Sequence, residues 1–186
     1  MKNSLLLISF FVAISSYSQF HLAVYNKEIT NSLAKIIEDF PNHFNNIRGA
    51  VIGTEVQAVN YACTINLEGA DSSVIIQNGE SNDSIFSWKQ MVFESEDFNE
   101  AKAKFHEYYK KIKGTTVFID NKKISFESNY DSPTDTKRFA SIIFTPNQQT
   151  NELKNVVIDL NLQYIISGWQ ITINVYEHTD YGVKEN

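Results

Sequence analysis

Two stretches of the chain carry apolar side chains at helical spacing, and most of the remainder alternates them at strand spacing. In residues 32–47 the apolar positions are Leu33, Ile36, Ile37, Phe40, Phe44 and Ile47. That is the i, i+3, i+4, i+7 stripe of a helix with one buried face. Ser32 offers an N-cap and Gly49 a stop. Pro41 lies inside the run and brings no N–H, so it predicts a kink or split near Asp39 and Phe40. The second helix is predicted over residues 98–113, with a stripe of Phe98, Ala101, Phe105, Tyr109 and Ile112 and with Gly114 as its end. Asp97 caps it and Glu100 completes a capping-box-like pair. Acids gather at its start (Glu94, Glu96, Asp97, Glu100) and lysines at its end (Lys110, Lys111, Lys113), which complements the helix dipole without any ligand.

The strand signal is strongest near the end of the chain. Ile158, Leu160, Leu162, Tyr164 and Ile166 alternate with Asp159, Asn161 and Gln163. After a turn at Ser167 and Gly168, Trp169, Ile171, Ile173 and Val175 alternate with Gln170, Thr172 and Asn174. This is a hairpin with one apolar and one polar face. Further strands are predicted over residues 56–67, 73–77, 84–93, 115–119, 123–127 and 138–145, with turn-rich loops at 78–83 and 131–135. Strands follow one another directly after each helix, which favours an antiparallel sheet over a parallel one. The fold class read from this pattern is α+β: an antiparallel sheet of six to eight strands with two helices packed on one face. The two helical stretches align without gaps, Phe40 on Phe105, Ile47 on Ile112 and Gly49 on Gly114. This is consistent with a pseudo-twofold duplication with halves 30–94 and 95–178, although any two amphipathic helices ending in glycine align this way.

The first residues fit neither pattern. Lys2 precedes an apolar run from Leu5 to Ile14 and a polar stretch with small residues at Ser16 and Ser18. That order predicts a cleaved secretory signal over residues 1–18, with cleavage after Ser18. The run is too short to span a bilayer, which takes about 20 residues. No cysteine follows it, so lipid attachment there is not expected. Residues 19–186 then form one domain with a polar, frayed tail over 179–186, no transmembrane segment, and a location in the periplasm or outside the cell. The formal charge of −6 argues against nucleic acid, whose binding rests on clustered Lys and Arg. The one cysteine, Cys63, excludes an internal disulfide and falls on the apolar side of its strand with Tyr61 and Ile65, where it acts as a small hydrophobe.

Candidate chemistry is sparse. His21, His43, His106 and His178 show no metal-ligand spacing, and His106 falls on the polar face of the second helix. The acid-bearing loops at 68–71, 78–83 and 131–135 lack the ligand pattern of a calcium loop. No nucleophile elbow, Cys-x-x-Cys or phosphate-binding glycine loop occurs. No catalytic residue, metal or cofactor is therefore assigned. Lys110, Lys111, Lys113, Lys122 and Lys123 could form a small basic patch, but read more simply as a solvated surface. Trp88 and Trp169 occupy corresponding places in the two halves. Core packing explains both, and the alternative is that they line a pocket between sheet and helices for a small apolar ligand.

The reading that follows is an exported, non-catalytic binding module for a small apolar ligand or for an exported protein partner. The hairpin's polar face, including Asp159, Asn161, Gln163, Gln170, Thr172 and Asn174, is a candidate docking surface. Two alternatives stand beside it. One is an exported hydrolase with a spatially assembled carboxylate or His–Asp site, which leaves no local signature. The other is a chaperone-like or assembly factor working through an apolar groove or edge strand.

Overall fold

The computed structural model describes residues 28–67, 72–79, 84–148 and 150–178. The segment expected to be a signal, the expected tail and the loop residues 68–71 and 80–83 lie outside these. The structure is α+β, with one nine-stranded antiparallel sheet and two helices. Helix α1 is described over residues 28–38, and α2 spans Phe98–Gly114. The strands are β1 (Arg48–Glu55), β2 (Ala58–Cys63), β3 (Ser73–Asn78), β4 (Ile85–Ser95), β5 (Thr116–Ile119), β6 (Lys122–Glu127), β7 (Phe139–Pro146), β8 (Val156–Ile165) and β9 (Gly168–Glu177). Their order in the sheet is β1-β2-β3-β4-β9-β8-β7-β6-β5. Read outward from the β4–β9 seam, each half is a meander preceded by a helix.

Both helices bury their stripes in a single core. Ile29, Leu33, Ile36 and Ile37 of α1 join Ala101, Phe105, Tyr108 and Ile112 of α2, with Ile75, Trp88, Leu160, Leu162, Ile171 and Ile173 from the strands. A fully buried side chain of this kind contributes about 1.5–3 kcal/mol relative to exposure. Helix α2 packs on β4, β6, β8 and β9. Its N-cap is Asp97, whose carboxylate accepts from the amides of Asn99 at 2.7 Å and Glu100 at 3.3 Å. Glu100 completes the cap through the Ser95 hydroxyl at 2.6 Å rather than through the Asp97 amide.

The break predicted near Asp39 and Phe40 is present, and three other local expectations shift. The first helix stops at residue 38, where Pro41 denies it a donor and a 3₁₀ turn, Phe40–Asn42, takes over. It is already helical at residue 28, so Ser32 is not its cap. Gly49 ends no helix, because it lies in β1, a strand whose two glycines and missing alternation hide it in the sequence. This strand brings the sheet to nine. The turn of the long hairpin sits at Ile166 and Ser167, since Gly168 pairs with Ile165. Gly168 has φ +135°, and a Cβ there would come within 2.7 Å of the Ser95 carbonyl oxygen, so the position requires glycine.

The two sheet edges are each protected. Strand β1 exposes Val51 and Ile52 but breaks register with β2 at two places. Bulges of this kind twist an edge away from further pairing. Strand β5 is four residues long, and the Glu38 carboxylate of α1 accepts from its Phe118 amide at 3.1 Å.

Candidate functional site

Trp88 and Trp169 are both buried in the core, at opposite ends of the central seam. Trp88 stands opposite Val175 and Trp169 opposite Ser95. At about 3.4 Å per residue the two lie roughly 20 Å apart along the ladder. Trp169 is held between Phe98, with ring centroids 4.9 Å apart, and Tyr164, at 5.2 Å. The Arg138 guanidinium caps Tyr164 at 5.2 Å, and Lys102 approaches Phe98 at 5.8 Å. Trp88 is fully buried on β4, and its indole N–H has no acceptor among the described residues. Two residues on, Gln90 accepts from the Leu67 amide at 2.9 Å while its own Nε2 has no partner. Unpaired buried donors cost about 1–3 kcal/mol each, and an interior water is the ordinary remedy.

Surface hollows lie elsewhere, and neither tryptophan lines the three that stand out. The most enclosed is a cleft of about 380 Å³ where α1 gives way to β1. One wall is aromatic, formed by Phe40, His43 and Phe86. The other is charged, formed by Glu152, Lys154 and Glu177. A wider, shallower hollow surrounds Val56 at the β1–β2 turn.

The aromatic wall is built by the turn that Pro41 imposes. Asp39, almost fully buried, gathers that turn: it accepts from the Asn46 amide at 3.0 Å, from Asn46 Nδ2 at 2.6 Å and from Asn42 Nδ2 at 3.2 Å. His43 and Phe44 follow with φ of 53° and 58°. Left-handed backbone at two successive non-glycine residues costs about 1–2 kcal/mol each and persists only where the surroundings enforce it. The two side chains part company. Phe44 is buried edge-on to Phe40, with centroids 5.8 Å apart, and His43 lies over Phe86 at 5.2 Å. Arg48 also covers Phe86, at 5.2 Å, and Tyr61, at 4.9 Å, and bonds to the Asn45 side chain. The Tyr61 hydroxyl donates to Gln77 at 2.9 Å, and Gln77 donates to Ser84 at 2.8 Å. The wall is therefore fixed from three directions.

On the opposite wall, Glu152 shares a hydrogen bond with Asp120. That bond, with repulsion from Glu152, raises the Asp120 carboxyl above its ordinary value. Glu152 is lowered, by a backbone hydrogen bond above all and with help from the Asp120 and Thr150 side chains. The two titrate as a pair, open to water.

The remaining candidates separate. His106 packs on Tyr130, with centroids 4.9 Å apart. Among the described residues no three His, Cys, Asp or Glu side chains stand close enough to hold a metal ion. Lys111 of the lysine group is buried and bonded to Glu107, which also receives Lys104 at 2.9 Å. Burial alone would raise the Glu107 carboxyl, but the two lysines outweigh it and hold it below 4.5. Cys63 is half-buried against the core. Among the described residues no helix is long and apolar enough to cross a membrane. No protein-family model, curated protein or solved structure matches this chain.

No local motif marks the cleft. The one signal in its neighbourhood is the Asp39, Pro41, Asn42, Asn45 and Asn46 grouping, which announces a break and a turn. The opposite wall comes from a segment more than a hundred residues away in the sequence, so spacing cannot reveal it.

Proposed function

We propose that the chain is an exported, non-catalytic binding module and that its ligand occupies the cleft beside Phe86. The observation that carries this reading is the pair of left-handed residues, His43 and Phe44, which Asp39 and its asparagines hold in place at the wall of the open cleft that Phe86 lines. Strain of this kind collects at binding sites because preorganisation lowers the cost of association. A volume of about 380 Å³ falls in the range of small-molecule sites. The walls refine the ligand class. A flat apolar side would lie on Phe40, His43 and Phe86, and a polar or charged edge would face Glu152, Lys154 and Glu177. An amphipathic molecule fits these walls better than a purely apolar one.

The test uses 8-anilinonaphthalene-1-sulfonate, which carries flat rings and one anionic group. Its fluorescence should rise on titration into the protein, and Phe86→Ala should weaken that binding at least tenfold. An unchanged titration curve in Phe86→Ala, with the fold retained, removes the cleft as the site. Export is tested separately: the processed protein should begin at Gln19 by mass spectrometry, and an intact Met1 would oppose it.

A second reading has one observation in its favour. His43, Glu152 and Glu177 line the same cleft, and Glu152 is bonded to Asp120, as an exported hydrolase with an assembled carboxylate site would require. Against it, both carboxyls of the bonded pair are open to water, which weakens every electrostatic contribution to catalysis. Turnover of a chromogenic ester or glycoside that is lost in Glu152→Gln would favour this reading over the first.

A further inference from the structure

The helices occupy one face of the sheet, and the other carries the polar positions of the central strands, with Val157 and Thr172 buried among them. That face carries a symmetry in its side chains. Directly opposed residues of an antiparallel ladder project to the same side. The register therefore sets Val74, Lys89, Asn174, Asp159 and Ile143 in one row across β3, β4, β9, β8 and β7. About Asn174 as centre, the row reads apolar, cation, amide, anion, apolar. Lys89 and Asp159 are the charged members of this row and of the two rows flanking it.

We infer that this face is the interface of a symmetric dimer, in which a second copy of the chain packs sheet against sheet. A twofold axis lying over β9 and parallel to it turns the row onto itself. Lys89 of each copy then meets Asp159 of the other, Asn174 meets Asn174, and Val74 meets Ile143. Isologous interfaces are self-complementary in just this sense. Packed sheets lie about 10 Å apart with strands within about 30° of each other, a spacing that two layers of such side chains fill. The pair would then be layered helix, sheet, sheet, helix.

Three further observations belong to this face. Met91 and Ile143 are each 41% exposed on it, so apolar area is available to bury. Asn161 Nδ2 and the Ser141 hydroxyl donate to the Asp159 carboxylate at 2.9 and 2.7 Å and fix its charge in place on this face. A hollow of about 260 Å³, lined by Ile76, Ser87, Lys89, Asn174 and Tyr176 with Glu177 also on its wall, gives an incoming side chain a seat. Five strands at about 4.8 Å spacing and roughly 20 Å length give on the order of 1,000 Å² for the two copies together, at the lower bound for a specific interface. The dimer is therefore weak, with a dissociation constant in the micromolar range.

Sedimentation equilibrium of the purified protein between about 1 and 500 μM measures it. The wild type should dimerise within that range. Lys89→Asp and Asp159→Lys each place like charges across the axis and should weaken the dimer about a hundredfold or more. An equimolar mixture of the two variants should dimerise again, because each supplies the charge the other lacks. If either charge reversal unfolds the chain, Lys89→Met and Asp159→Asn replace it, with at least a tenfold loss expected. A wild type that stays monomeric at 500 μM overturns the inference. So does dimerisation that the single variants leave unchanged, or a mixture no tighter than the variants alone. Phe86→Ala lies on the other face and should not alter the association, so this result stands apart from that of the cleft.

Discussion

The two helices leave their layer in opposite ways. Helix α2 is capped at its start by Asp97 and Ser95, runs to Gly114, and passes through Thr115 straight into β5. The Thr115 amide donates to the Ile112 carbonyl and its hydroxyl to the Lys111 carbonyl, so the last turn closes on itself. Helix α1 is broken by Pro41 and reaches β1 only after a turn that Asp39 ties together. Aromatic rings with an arginine above them occur at both places: Tyr164 under Arg138 near α2, Phe86 and Tyr61 under Arg48 near α1. Near α2 the rings of Phe98, Trp169 and Tyr164 fill the space. Near α1 a cleft remains. The capped start of α2 is filled by packed rings, whereas the end of α1, broken by proline and rebuilt with side-chain bonds, stands beside a walled hollow.

Substitutions can break or sharpen this contrast. The largest effect is expected at Gly168, which abuts the Ser95 carbonyl at the start of α2. Gly168→Ala should cost about 3 kcal/mol or more, read as a fall in the urea midpoint, because the added methyl meets backbone and the φ is unfavourable for any other residue. Asp39→Ala should cost about 1–2 kcal/mol through the three hydrogen bonds it removes from the turn. Hydrogen exchange should then quicken in residues 40–47 and stay unchanged in α2. If both helices loosen together, the two ends are not independent.

Glu107→Gln should cost about 1 kcal/mol at neutral pH, since it removes the carboxylate that faces Lys111 and Lys104. The sign of its pH dependence follows from its lowered value. The contribution is present above pH 4.5 and disappears as pH falls through the lower folded value, so wild type and variant should converge in acid. The smallest effect is expected for His43→Gly. Relief of the left-handed backbone offsets the lost contact with Phe86, and the melting midpoint should stay within about 0.5 kcal/mol of wild type. Binding of the fluorescent probe should fall all the same, which separates the site from stability.

Much of the architecture could be read in the chain. Helix α2 announced itself through its stripe from Phe98 to Ile112 and its cap at Asp97, and the β8–β9 hairpin through strict alternation. Pro41 located the break in the first helical stretch to within a residue or two. Strand β1 is not legible in the sequence, because Gly49, Gly53 and its two register shifts erase the alternation that marks a strand. The site is less legible for a different reason. Trp88 and Trp169 look equivalent in sequence, and only the antiparallel register of β4 with β9 sends them to opposite ends of the seam. The cleft draws on four distant segments, and nothing local to His43, Phe86 or Glu152 says that they meet.

Strand β9 is the last strand among the described residues and occupies the middle of the sheet, between β4 and β8. The order of synthesis is thus the reverse of what assembly from the centre would need. Until residue 177 is free, β4 presents a bare ladder of amides and carbonyls, and the two meanders have no common interior. Loop-closure entropy must be met before the pairing of Trp88 with Val175 returns anything. Folding should therefore be slow and nearly all-or-none, with the nascent chain open to wrong strand partners throughout its elongation.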